Sequence, residues 1–215
     1  MTFQDRSDAG RRLADALEQY RDDNPVVLGL PRGGVVVGYE IARALDAPLD
    51  VLVVRKLGAP GAEEFAIGAI APGATVLNRE LVAALRVPRE YLARIIAREV
   101  AELARRERVY RGRGAPVEVA GRTVILVDDG LATGATAQAA VESLRRRGPQ
   151  KIVFAAPVCS VEGSKALEQV ADAVVCLECP PSFSAVGYWY TDFTPTTDAE
   201  VIKCLLASER RRVPA

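Results

Sequence analysis

The run Val124-Ile125-Leu126-Val127-Asp128-Asp129-Gly130-Leu131-Ala132-Thr133-Gly134-Ala135-Thr136 imposes a strand, a turn and a helix in direct succession, with two carboxylates at the junction. Four consecutive apolar residues, three of them β-branched, suit a central parallel strand covered on both faces. A turn of small residues then opens a helix from Ala135 to about Arg147, with Ala139, Ala140, Val141 and Leu144 on one buried face. The first amides of such a helix lack internal acceptors, and its dipole is positive there, so the turn attracts a phosphate. Asp128 and Asp129 would repel a bare dianion. They need a ligand that also brings hydroxyl donors or a divalent cation, and a phosphorylated ribose brings both. The plainer alternative is a strand-turn-helix with Asp as N-cap and Gly as turn former. The coincidence of acidic pair, Thr-Gly-x-Thr turn and apolar strand speaks against it.

The rest of the chain alternates in the same way. Helices are expected over Arg6 to about Arg21, Val35–Leu45, Pro88 to about Tyr110, Gly163–Val170 and Asp198 to about Arg210. Strands are expected at Val26–Leu30, Leu49–Val54, Lys151–Ala156 and Ala173–Leu177, with a hairpin or flap over Ala66–Ile70 and Val76–Leu77. Strands separated by helices imply an α/β fold with a mostly parallel central sheet flanked by helices, and ligands at the carboxyl ends of its strands. With 215 residues, 49% of them apolar, the chain suits one core and a single domain over 1–215. Its 28 basic and 28 acidic residues balance, so no overall field draws it to nucleic acid or an anionic membrane. The absence of a long apolar run or signal-like start leads to a cytoplasmic expectation. Cys176-x-x-Cys179 has no second pair at zinc spacing and the chain has no histidine, so strand packing is expected of Cys176. The runs Arg145–Arg147 and Arg210–Arg212 read as solvated helix ends.

Two further segments carry charge to the same sheet edge. Leu28-Gly29-Leu30-Pro31-Arg32-Gly33-Gly34-Val35 passes from strand to Gly-rich turn to helix and makes a second anion site. Two anion sites fit a substrate phosphorylated at both ends. Val54-Arg55-Lys56-Leu57-Gly58-Ala59-Pro60-Gly61-Ala62-Glu63-Glu64-Phe65 reads as a strand end with two cations running into a mobile Gly/Pro-rich loop, in which Glu63 and Glu64 have no assigned role. After the last strand, residues 179–193 hold the only tryptophan, Trp189, with Phe183, Tyr188, Tyr190 and Phe193. That cluster either stacks on a flat heterocycle or covers the sheet end.

From about Val26 to Phe193 these motifs resemble the type I phosphoribosyltransferases, whose acidic pair and following turn match Asp128-Asp129 and Ala132–Thr136. The resemblance implies a Rossmann-like type I fold with a flexible loop and a small hood, here mainly residues 179–197. It implies that Asp128 and Asp129 hold the ribose 2′ and 3′ hydroxyls of phosphoribosyl pyrophosphate (PRPP). Ala132, Thr133, Gly134, Ala135 and Thr136 would wrap the 5′-phosphate. Pro31, Arg32, Gly33 and Gly34 match the pyrophosphate loop, which in the family commonly contains a non-proline cis peptide, and Arg55 and Lys56 match the cations that meet pyrophosphate. In the hood, Phe183, Val186, Gly187, Tyr188 and Asp192 match positions that hold a purine, with Trp189 beside them. The upstream lysine of the purine enzymes is missing, since Glu178 and Cys179 occupy that region, so a purine-like base and another ring both remain open. The implied activity is Mg²⁺-dependent transfer of phosphoribose to a nitrogenous acceptor, with Mg²⁺ held mainly by PRPP and no direct metal ligand assigned. Asp128, Asp129, Arg55 and Lys56 are the catalytic candidates. Asp129 is favoured as general base over Asp192 or an acceptor that arrives ionised. A homodimer is in keeping with the family. The alternatives are a PRPP sensor of the same fold without turnover, and a ribose-1-phosphate or nucleotide hydrolase.

Overall fold

Strand β1 (Val26–Gly29) is buried along its whole length, as are β2 (Leu49–Val51) and β6 (Thr123–Val127), because they are mostly apolar and covered on both faces, with the buried Asp50 of β2 paired to Arg111 at 2.9 Å. Together with β7 (Lys151–Val158) and β8 (Ala173–Glu178) they form a five-stranded sheet of order β2-β1-β6-β7-β8, parallel throughout. The structure, a computed structural model, describes residues 2–112 and 114–212, without the side chains of Glu64 and Arg212.

Alternation along the strands sends successive side chains to opposite faces, which builds two cores. Val27, Ile125, Val127 and Val153 pack against α1 (Arg6–Leu17), α2 (Gly33–Ala44) and α7 (Asp198–Arg212). Val26, Leu28, Val124, Leu126 and Phe154 pack against Ala137, Ala140, Val141 and Leu144 of α5 (Ala135–Arg145) and Leu167 of α6 (Val161–Glu168). The helix expected to reach Arg21 passes after Leu17 into a 3-10 segment over Glu18–Asp23.

The segment beyond β2 departs from the expectation. Leu49–Val54 gives a strand only as far as Val51, and the mobile loop expected after Val54 is an antiparallel hairpin. Strand β3 (Arg55–Ala59) pairs with β4 (Ala62–Ala71), which pairs with β5 (Ala74–Leu77). The Gly/Pro signals mark its features: Pro60 and Gly61 (φ 74°) form the turn, and Gly58 lies at a register shift where a Cβ would stand 2.3 Å from the Glu63 carbonyl oxygen. Leu57, Ile67 and Ile70 are buried in the same core as α2 and α4 (Arg89–Arg111), which fixes the hairpin to the body. The short helix α3 (Arg79–Ala84), capped by the Asn78 side chain, joins β5 to α4. Among the charged residues of α4, Glu99 is buried. Among the described residues no helix is long and apolar enough to cross a membrane, and all four cysteines are free thiols.

Candidate active site

The turn after β6 takes its shape from neighbours far away in sequence. Gly134 caps α5 at φ 77°, and a Cβ there would meet Leu167 at 2.8 Å, so only glycine fits. The Ser160 hydroxyl, which caps α6 by accepting from Gly163 N at 2.9 Å, donates to the Ala132 carbonyl at 2.5 Å. Ala132, Thr133 and Ala135 are left exposed at the helix start, where the first amides have no helical acceptor. Sequence reasoning missed Ser160 and Gly163, although Ser160 three residues before a small residue at a helix start is a readable N-cap signal.

The Gly-rich loop after β1 lies directly on the acidic pair. Leu30 N donates to Val127 O at 2.8 Å, and a Cβ on Gly34 would stand 2.5 Å from that oxygen and 2.9 Å from Asp128 Cα. A Cβ on Gly33 would fall 1.8 Å from Asp129 Oδ2. These two glycines let the loops touch. The Pro31–Arg32 peptide is cis, the non-proline feature that the resemblance implies for this loop.

The carboxylates differ in surroundings. Asp128 Oδ1 accepts from the Asp129 amide at 2.9 Å, and its carboxyl is raised well above the ordinary range by burial and by the neighbouring Asp129 charge. Asp129 Oδ2 is held at 2.7 Å by Nε of Arg6, the first residue of α1. Arg6 also donates to the Thr194 carbonyl at 2.9 Å and lies 4.0 Å over the Phe193 ring. Arg6 lies 123 positions from Asp129, and only an Arg in the first turn of a helix marked it, which says nothing of its partner.

Of the residues expected at the pyrophosphate, Pro31, Arg55 and Lys56 line an open cleft of about 360 Å³ together with Glu63, Glu99 and Thr136, whereas Arg32, Gly33 and Gly34 do not. Within it Arg55 is tied to the buried Glu99 at 2.7 Å, which also accepts from Arg98 at 2.9 Å. Lys56 is exposed. Arg32 stands 4.0 Å from Asp198 at the start of α7.

The aromatic residues of the hood divide between a buried cluster and an exposed face. Tyr190 is buried between Phe3 and Phe193, with ring centroids 5.5 and 4.9 Å apart, and its hydroxyl donates to Asp129 O at 2.6 Å. Burial and the nearby Asp129 charge push the Tyr190 phenol up, which keeps it a donor. The chain start clamps this segment: Phe3 N donates to Trp189 O and Thr191 N to Phe3 O, each at 2.8 Å. Val186 packs on Gly130 next to the acidic pair, where a Cβ would meet it at 2.3 Å. Tyr188 is 79% exposed and lines with Trp189 a separate depression beside Thr2, Ser182 and Ser184. Phe183 is partly buried. Asp192 accepts from Thr194 N and Oγ1, which holds its carboxyl below the ordinary range, and it lines a second cleft with Arg6, Val36, Thr194 and Glu200.

Residues 4–191 match the family model described as the phosphoribosyl transferase domain. The chain belongs to this family. The match begins at the N-terminal segment that carries Arg6, upstream of the resemblance read from the motifs. A Mycobacterium tuberculosis H37Rv protein, named provisionally as a phosphoribosyl transferase, is 46% identical over 210 residues, covering 97% of this chain and 47% of its own length. The chain thus spans about half the length of the curated relatives it matches over nearly all its residues. The uracil phosphoribosyltransferase of Geobacillus kaustophilus is 43% identical over 53 residues, a quarter (25%) of each chain. Among solved structures, the protein TT1426 from Thermus thermophilus superposes with a TM-score of 0.83 at 46% identity, covering 96% of this chain and 99% of that one.

Proposed function

We propose that the protein transfers 5-phosphoribose from PRPP to a nitrogenous ring acceptor, with Mg²⁺, and releases pyrophosphate. The contact of Gly33 and Gly34 with Asp129 and Asp128 carries this reading, because it sets two anion-binding loops side by side with the acidic pair between them. A doubly phosphorylated ribose spans that arrangement. Ala132–Thr136 take the 5′-phosphate, Asp128 and Asp129 the ribose hydroxyls, and Pro31–Gly34 with Lys56 the pyrophosphate.

In the reaction an acceptor nitrogen bonds to ribose C1 while the bond from C1 to the pyrophosphate oxygen breaks, and pyrophosphate leaves with that electron pair. Positive charge gathers on the sugar ring in between, so water must be kept out and the leaving group's charge offset. Among the described residues no group of three or more His, Cys, Asp or Glu could hold a metal. The adjacent Asp128 and Asp129 offer hard oxygens suited to an ion that keeps water and substrate phosphates as its other ligands. Mg²⁺ fits that donor set, and when bound it offsets charge on the leaving pyrophosphate. Asp129 Oδ2 is engaged by Arg6 and Asp192 by Thr194, so Asp128, its carboxyl raised by burial and by the Asp129 charge, is the carboxylate left to accept a proton from the acceptor. An acceptor that arrives ionised needs no base. The partial likeness to a uracil enzyme adds pyrimidines to the purine-like rings as acceptor candidates.

One observation favours a second reading, a PRPP sensor without turnover: Arg55, one of the two cations expected at the leaving group, is engaged by the buried Glu99 at 2.7 Å. Incubation with PRPP, Mg²⁺ and a panel of purine and pyrimidine bases separates the two. Pyrophosphate release with one acceptor supports transfer, binding without release with any base supports the sensor, and no interaction with PRPP refutes both.

A further inference from the structure

We propose that Arg6 is a positioning residue, supplied by the N-terminal helix, that holds Asp129 ready for the ribose hydroxyls and ties the hood to the acidic pair; this rests on the phosphoribosyl reading above. Its three contacts come from separate parts of the fold: Asp129 Oδ2 at 2.7 Å after β6, the Thr194 carbonyl at 2.9 Å, and the face of Phe193 at 4.0 Å. With the Arg6 and Asp129 side chains only 11% and 17% exposed, the pair is shielded from water and counterions, unlike an ordinary surface pair. Two adjacent carboxylates repel each other, and a guanidinium on Asp129 offsets that repulsion. A charged hydrogen bond to one oxygen also restricts the carboxylate to one orientation, so that the hydroxyls meet an ordered acceptor.

The glycine of the opposite loop is fitted to the pair. A Cβ on Gly33 would stand 1.8 Å from Asp129 Oδ2 and 2.6 Å from Arg6 Nε, so a side chain at residue 33 would have to displace this ion pair. Arg6 therefore stands where the ribose, pyrophosphate and hood regions meet.

Calorimetric titrations with Mg²⁺–PRPP and with Mg²⁺–pyrophosphate test the role. Arg6→Gln is expected to weaken PRPP on the order of tenfold, the scale of one charged hydrogen bond, and to leave pyrophosphate within about twofold. In an Asp129→Ala background the same change should add less than about twofold, because the two residues act as one unit. Arg6→Lys, which keeps the charge, should recover most of the PRPP affinity. Thermal unfolding of each variant identifies a folding defect, and Arg6→Met, which keeps the length of the stem without the charge, takes the place of Arg6→Gln in every comparison if Arg6→Gln does not fold. The inference is overturned by wild-type PRPP affinity in Arg6→Gln, by equal loss for both ligands, by full additivity with Asp129→Ala, or by an Arg6→Lys variant no better than Arg6→Gln. A wild-type protein that takes up pyrophosphate but no PRPP overturns the phosphoribosyl reading itself, and the inference with it.

Discussion

Asp128 and Asp129 are neighbours in sequence, but folding treats them differently. An acid whose pKa is raised by folding binds more protons folded than unfolded, so stability falls as pH rises from the ordinary carboxylate range through the raised value. Asp128 is such a group, which makes its ionised form a cost borne by the unliganded protein. Asp128→Asn should therefore raise the melting temperature at neutral pH by a few degrees, on the scale of 2–4 °C per kcal/mol relieved, while PRPP binding weakens. The stabilisation should fade on acidification; scanning calorimetry at several pH values against PRPP titration checks both. The junction that carries Asp128 and Asp129 was legible because its signal is local, a strand end followed by a small-residue turn into a helix. Arg6 and Ser160 were not, because their partners Asp129 and Ala132 lie far along the chain and no spacing encodes the pairing. Aromatic composition reports a cluster but not which ring is buried: Tyr190 is, with its hydroxyl on Asp129 O, while Tyr188 is exposed.

At the level of elements, helices and parallel strands followed from periodicity and from continuous apolar runs, whereas the β3–β4 hairpin did not. Arg55, Lys56 and the Gly/Pro signals mask its alternation, and its register shift at Gly58 breaks the two-residue period. The hairpin holds Arg55 against Glu99 of α4, a carboxylate buried only because it is paired with Arg55 and Arg98. Glu99→Gln should cost about 1–3 kcal/mol in denaturant unfolding, the range for a hydrogen bond to a charged group. At the turn opening α5, Thr133→Val should weaken PRPP by up to a few kcal/mol through the 5′-phosphate, measured by calorimetry. Unchanged affinity would remove Thr133 from the phosphate site.

Across the molecule, the sheet brings three carboxyl-edge segments together, and the chain start closes the arrangement from above. Phe3 is fully buried against Tyr190 and brackets the hood through Trp189 and Thr191. Phe3→Ala should cost about 3–5 kcal/mol, as for other buried aromatic truncations, and loosen the hood, seen as a lowered unfolding midpoint and faster hydrogen exchange at 188–194. The family membership accounts for the overall plan. The central claim is that one PRPP molecule lies across the two loops with its ribose on the acidic pair. Calorimetric titration of PRPP with Mg²⁺ into the wild type and Asp129→Ala tests it most directly. The account predicts saturable one-to-one binding to the wild type that weakens at least about tenfold in the variant; no binding to the wild type, or equal affinity in both proteins, would contradict it.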